Sequence, residues 1–332
     1  MDLGIRLVPR EKYEVAGPVD ISIIIAHRGP EMGLWLTIES CEMALRDTAL
    51  KYEFVIVVNG EERLSEDLMR QRHFLSQTGH LADFIHVPEA LSPPSARQVG
   101  SWSAKGEFLF FLDNHCIVEP RYFVRAVTQM RTKGIGMLHS TTRFWSGENT
   151  WHEYRMAFKR HFWCDLAIDD PKDALEPYRV GVAGHGGFAA TRKLWDKVDG
   201  YWMGFQGYAG EEPYFDMKCW MMGEEVWLDP QMVHRHWSGK RGYNRHYTDE
   251  YISNLLMAAH IIGGEKWMYD VSDSFQKCTR LLPGEGRKPK PIIDLIEAAY
   301  VRSKDRAEWV KAHSVRSFDE CLTHFAEAGI RI

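Results

Sequence analysis

Lys105-Gly-Glu-Phe-Leu-Phe-Phe-Leu-Asp-Asn-His115 is the stretch that decides the fold. Phe108 to Leu112 is an apolar, aromatic-rich run of strand length, introduced by Gly106 and ended by Asp113, Asn114 and His115. A continuous apolar run suits a buried central strand of a parallel sheet, covered on both faces. In open α/β sheets the ligand site lies beyond the carboxyl ends of such strands. Residues two apart on an extended segment point the same way, so Asp113 and His115 can converge on one ion. A carboxylate oxygen with an imidazole nitrogen suits a Mn-like divalent cation, which accepts nitrogen more readily than Mg does. The plainer alternative is that Asp113 and Asn114 start a turn and His115 is incidental.

Upstream, Ile21 to Ala26 is a β-branched run broken by His27, Arg28, Gly29 and Pro30, followed by a helical pattern from Leu34 to Leu45. Phe54 to Val58 is a second apolar run, ended by Asn59 and Gly60, with a helical stretch from Leu64 to Leu75 after it. Phe84 to Val87 is a short strand, and Ser95 to Ala104 a helix that leads back to Phe108. Strand and helix alternating in this way predict a doubly wound, mostly parallel α/β sheet flanked by helices. Right-handed crossovers then set the strand ends at 26–28, 59–60 and 113–115 along one edge. Residues 1–133 read as a nucleotide-binding half.

Downstream the composition changes. Residues 134–250 are rich in Gly, Trp, His and Tyr, and Gly184 to Phe188 and Gly207 to Glu212 read as tight loops where backbone approaches something closely. Val226 to Leu228 is a further strand and Asp249 to Ala259 a helix. Leu282 to Pro291 reads as a linker, and two amphipathic helices follow near 292–302 and 317–328, a helical C-terminal extension of residues 261–332. The net charge of −5 supplies no general field for nucleic acid or an anionic membrane. Six cysteines without a C-x-x-C pair argue against a zinc site or a disulfide framework and fit reduced thiols. No signal-peptide core and no apolar stretch of membrane-spanning length is present, so a cytoplasmic protein is expected.

The glycines at 184, 186 and 187 are not a dinucleotide fingerprint, and no P-loop lysine motif occurs. Nucleotide binding would therefore use strand-end polar groups and a metal. Glu211–Glu212 is either a solvated acidic helix start or a carboxylate pair that receives a proton from an attacking hydroxyl. His234–Arg–His236 follows a strand, and one of the two histidines is expected at the sheet edge as a third metal ligand. Lys240, Arg241, Tyr243, Arg245 and His246 are either an ordinary surface loop or a lid that neutralises a diphosphate leaving group.

Together these residues resemble a GT-A glycosyltransferase of the family 2 superfamily, with the nearest likeness to the catalytic domain of polypeptide N-acetylgalactosaminyltransferases. The likeness is carried by Ala96–Arg97, Gly100, Ala104, Gly106 and Phe111 to Cys116; by Gly186 to Ala189, Arg192 and Gly200–Tyr201; and by Gly210–Glu211–Glu212. The Pro230-to-His236 spacing and Asn244–Arg245 through Tyr251 complete it, over roughly residues 20–251. The resemblance implies a nucleotide-sugar-binding half over 1–133 and an acceptor-binding half over 134–260. It implies Asp113, His115 and His236 as ligands of Mn (or Mg), with His236 favoured over His234. His27, Arg28, Asn59, Arg97, Asn114, Gly186, Gly187, Arg241 and Tyr243 would hold the nucleotide sugar, UDP-linked by resemblance, and Glu211 and Glu212 would serve the acceptor. If the enzyme inverts, one glutamate is the general base; if it retains, as the nearest relatives do, the departing phosphate takes the proton.

The chain departs from that family at several points. Asn59 stands where relatives carry acidic residues near the base, and Glu212 replaces an Asn or Asp. No membrane anchor precedes the domain and no lectin-like repeat follows it, which argues against a secretory-pathway enzyme. The expected activity is a hexosyl or N-acetylhexosaminyl transfer to a hydroxyl on protein, glycan or modified DNA. The alternatives are a phage-type enzyme acting on hydroxymethylated bases, and a nucleotide-sugar-binding protein without transferase activity.

Overall fold

Four runs of buried β-branched and aromatic residues make the parallel part of the sheet: β1 (Ile21–His27), β2 (Tyr52–Asn59), β3 (Leu81–Val87) and β4 (Phe108–Asp113). They are joined by the crossover helices α1 (Gly33–Leu45), α2 (Glu66–Thr78) and α3 (Pro93–Ser101). The computed structural model describes residues 17–28, 33–145, 152–158, 164–167, 174–237, 249–277 and 291–330. Ser65 and Ser92 cap α2 and α3 by accepting the Leu68 and Ser95 amides, which satisfies backbone donors that a helix start leaves open. α3 ends three residues before the expected Ala104. The chain is instead drawn down toward β1 and β2, with the Lys105 amide on Glu53 at 2.6 Å and the Gly106 amide on Ser22 at 2.7 Å.

Beyond β4 come β5 (Cys116–Val118), α4 (Tyr122–Lys133), β6 (Met137–Trp145), β7 (His152–Phe158), β8 (Cys164–Ala167), β9 (Tyr178–Arg179) and β10 (Gly187–Thr191). Then follow α5 (Arg192–Lys197), α6 (Glu211–Met221), β11 (Val226–Trp237), α7 (Asp249–Lys277), α8 (Ile292–His313) and α9 (Phe318–Glu327). The main sheet runs β3-β2-β1-β4-β10-β6-β11-β5. The parallel run is interrupted after β4: β10 lies antiparallel to both β4 and β6, and β6 pairs in parallel with β11, so the sheet as a whole is mixed. The expected strand at 226–228 is much longer. Pro230, which cannot donate to a ladder, falls in a register shift between Asp229 and Val233, and the strand resumes through His234 and His236.

Alternation along the strands splits the core in two. Ile23, Ile25, Ile56, Phe110 and Leu112 face α1, α2 and α4, while Ile24, Val57, Leu109 and Phe111 face α3 and the helices α5 to α9. Phe111 stacks on Phe188 at 4.7 Å and on Trp195 at 4.4 Å between ring centroids. The C-terminal helices thus cover one face of the sheet, with α7 interrupted at Gly264, where the backbone leaves helical geometry. Register pairs Ala26 with Asp113 and His27 with Val58, so the expected strand ends do share one edge.

Candidate functional site

Asp113 is the last residue of β4, where the ladder with β1 runs out. The chain turns through Asn114 and re-enters the sheet as β5, whose Cys116 pairs with His236 of β11. That antiparallel pairing lays His236 over the Asp113–His115 turn. His236 Nε2 is 3.0 Å from His115 Nε2 and 3.3 Å from Asp113 Oδ2, and one ligand atom from each of the three residues falls within 4.8 Å of the others.

The hydrogen bonds around this trio orient it. Asn114 Nδ2 is 2.6 Å from His27 Nδ1, while Asn114 Oδ1 is 2.7 Å from His115 Nδ1. In this orientation the amide donates to His27 and accepts N–H from His115, leaving the lone pair of His115 on Nε2, toward the cluster. A ligating histidine characteristically gives its other N–H to an oxygen that fixes the ring. Two imidazole nitrogens and a carboxylate oxygen fit a Mn-type cation. Backbone also makes room: a Cβ at Gly186 would lie 3.2 Å from both His234 and His236 and 3.9 Å from Asp113, and one at Gly187 only 2.8 Å from His234. Gly33, which the sequence reading passed over, lets the start of α1 rest on the Asn114–His115 backbone.

His234 and His236 share a strand face, so alternation does not choose between them. Depth does: His234 is fully buried and bonds Ser140 Oγ at 2.7 Å, while His236 lies one repeat nearer the edge, its side chain 12% exposed. Burial, then the neighbouring His236, lowers His234 to about 3, which makes it a neutral packing residue.

Arg97 enters from α3, and its side chain is buried. Its Nη2 donates to Asp113 Oδ1 at 2.7 Å and to the His185 carbonyl at 2.8 Å. Burial alone would raise the Asp113 carboxyl. The Arg97 charge, with the His236 hydrogen bond and the nearby imidazoles, overcomes it and holds the group well below the usual carboxylate range. Asp113 is therefore an anion at any working pH.

Opposite stands the start of α6. Glu211 is 3% exposed and is not a solvated helix start. Glu212 accepts the His185 amide at 2.9 Å. Burial first, and for Glu212 the charge of Glu211 next, raise both carboxyls, Glu212 to about 8. Arg97 lies within electrostatic reach of both. The pair at neutral pH thus holds a proton that ordinary carboxyls would have lost.

Asn59 ties the edge together, donating to the His27 carbonyl at 3.1 Å and accepting the Leu91 amide at 3.0 Å. Arg28 is exposed at the same edge. Arg241 and Tyr243 lie outside the described residues. Sequence reading missed His139, His185 and Asp216, a second buried cluster directly behind this site. Their only signal was a histidine set among the glycines at 184–187 and an aspartate inside an otherwise apolar stretch of α6.

The comparisons agree with this architecture. Among solved structures, the chain resembles that of GalNAc-T7 with UDP, GalNAc and Mn2+, with a TM-score of 0.70 and 17% identity. The match covers 94% of this chain and 57% of that one, so this chain spans little more than half the length of that neighbour. No curated protein sequence matches it. The Glycosyl transferase family 2 model matches residues 22–198, more than half of the chain. With its mixed α/β sheet and C-terminal helices, this chain belongs to glycosyl transferase family 2 and shares its fold with the GalNAc-T7 structure.

Proposed function

We propose that this glycosyltransferase is metal-dependent and moves a hexose or N-acetylhexosamine from a UDP-sugar to an acceptor hydroxyl. The observation that carries the reading is the convergence of Asp113, His115 and His236 beneath a buried carboxylate pair, with Arg97 between the two halves. The neighbouring GalNAc-T7 structure contains UDP and Mn2+, which supports the same donor class here. A divalent cation bound to the trio would supply Lewis-acid stabilisation of the diphosphate as the glycosidic bond breaks.

The chain's own residues do the rest. Arg97 keeps Asp113 ionised and ties it to the 183–187 loop. His27, Arg28 and Asn59 stand at the strand ends where the nucleoside would lie, and Asn114 sets the His115 ring. Glu211 and Glu212 face the acceptor half. In its ionised form Glu212 can take the hydroxyl proton; in its protonated form it can only orient the hydroxyl. The acceptor is a hydroxyl on protein, glycan or hydroxymethylated DNA. Among the described residues, Cys41, Cys116, Cys219 and Cys321 are buried and outside any disulfide, which favours a reducing setting. Among the described residues no helix is long and apolar enough to cross a membrane.

The test is UDP release from a panel of UDP-hexoses and UDP-N-acetylhexosamines with Mn, in wild type and Asp113→Ala. Slow hydrolysis by wild type alone, increased by the correct acceptor, is the expected result. Equal release by both proteins would refute the reading, as would tight donor binding with no turnover on any acceptor class.

A further inference from the structure

Behind the site, His139 on β6, His185 in the loop before β10 and Asp216 on α6 meet out of contact with solvent. Asp216 Oδ1 is 3.2 Å from His139 Nε2 and 3.0 Å from His185 Nε2, and its Oδ2 accepts the Ala183 amide at 2.8 Å. The other ring nitrogens are engaged too. His139 Nδ1 is 3.2 Å from the Gly184 carbonyl, and His185 Nδ1 meets the Tyr201 hydroxyl. The two rings stack at 5.0 Å, against Phe188 and Phe215.

Counting hydrogens separates the two histidines. A neutral imidazole carries one N–H. His185 is satisfied with one: Nε2–H donates to Asp216, and Nδ1 accepts from Tyr201. Burial lowers His185 to about 4, in keeping with a neutral ring. His139 is not satisfied with one, because both its nitrogens face oxygens that only accept, a backbone carbonyl and a carboxylate. Either each nitrogen carries a hydrogen, or Asp216 itself carries the proton and donates to Nε2, or a metal ion lies between Nε2 and Asp216. Closed structural metal sites take four ligands. Here no fourth His, Cys, Asp or Glu joins the group among the described residues, and the second Asp216 oxygen already holds an amide. A proton needs no fourth donor. Although burial works against its charge, Asp216 is held well below the usual carboxylate range by the two imidazoles.

The placement of this cluster gives it a purpose. Asp216 lies one helical turn beyond Glu212, on the same side of α6. His185 uses its amide for Glu212 and its carbonyl for Arg97, which holds Asp113. We propose that a His139 imidazolium, Asp216 and neutral His185 form a positioning network that sets the Glu211–Glu212 carboxylates in register with the Arg97–Asp113 pair. This rests on the glycosyltransferase reading above. The charged and titratable groups facing His139 are Asp216 from α6 and His185 from its loop, with Tyr201, Arg97 and Glu212 in the next layer.

Two measurements test it. In spectra of protein labelled with 15N at the histidine rings, at pH 7.5 and without donor or acceptor, one ring should show both nitrogens protonated. That signal should vanish in His139→Gln. Its absence from wild type would overturn the proposal whether or not UDP-sugars are substrates. A stoichiometric metal retained by Asp113→Ala would overturn it in favour of a second metal site. On the activity side, Asp216→Asn keeps shape and removes charge, and should leave UDP affinity in Mn nearly unchanged while kcat falls about 100-fold, the scale of a small misplacement of reacting groups. Parallel loss of affinity and kcat, or retention of both, would overturn the positioning role. If wild type itself turns over no UDP-sugar, the function reading fails, while the ring spectra still decide the network.

Discussion

Arg97 and Asp113 are joined at 2.7 Å between a guanidinium whose side chain is 4% exposed and a carboxylate at 27%. The same Arg97 nitrogen also reaches the His185 carbonyl, so one side chain from α3 connects the end of β4 to the loop that contacts Glu212. Arg97→Ala leaves Asp113 partly buried without its main counter-charge. Breaking such a pair costs about 3 kcal/mol. Asp113 is depressed in the folded state, so its contribution is present above the ordinary carboxylate value of 3.8 and disappears as pH falls through the lower folded value. Urea melts should therefore show wild type well ahead of Arg97→Ala at pH 7, with the gap narrowing below pH 4. A gap of the same size at pH 3 would show that the pair is not its source.

The two histidines of β11 should part company. His236→Ala is expected to lose Mn binding with little change in stability, since His236 sits at the sheet edge. His234→Ala should keep Mn binding and melt early, having lost its buried bond to Ser140. Titration of Mn into each variant, beside its melting curve, reads both effects. The opposite pattern would move the ligand one repeat into the sheet.

Glu212 should work against stability while serving the acceptor. Its folded value of about 8 lies above the ordinary 4.5, so the stability it lends is full below pH 4.5 and is lost as pH rises through about 8. Glu212→Gln removes that loss. The variant should match wild type near pH 4.5 and be the more stable protein at pH 9, while transfer collapses and nucleotide affinity stays. Melting across that range checks the sign, and a variant less stable at pH 9 contradicts the burial argument.

How much of this was legible in the sequence depends on how local each signal is. The apolar runs before His27, Asn59 and Asp113 announced β1, β2 and β4, and with them the edge where the candidate residues gather. Asp113 and His115 are two residues apart, so their convergence needed only strand geometry. The 12-residue length of β11 was hidden by Pro230, which reads as a strand end until its bulge is seen. The antiparallel insertion of β10 between β4 and β6 left no periodic trace. His139 and Asp216 are 77 residues apart and meet through the packing of α6 on the sheet, which no local pattern encodes.

Phe111 tests the fold apart from the site. Fully buried and stacked on both Phe188 and Trp195, it should cost about 3–5 kcal/mol when replaced by Ala. Denaturant unfolding measures this, and a loss under 1 kcal/mol would mean that the aromatic stack does not anchor the α5–α6 face.

In the proposed mechanism Asp113, His115 and His236 hold a cation that in turn holds a nucleoside diphosphate. Calorimetric titration of UDP into the wild-type protein, once with Mn and once with EDTA, tests it most directly. Binding should be at least about tenfold tighter with Mn, an advantage abolished by Asp113→Ala. UDP affinity that is the same in Mn and in EDTA would contradict it.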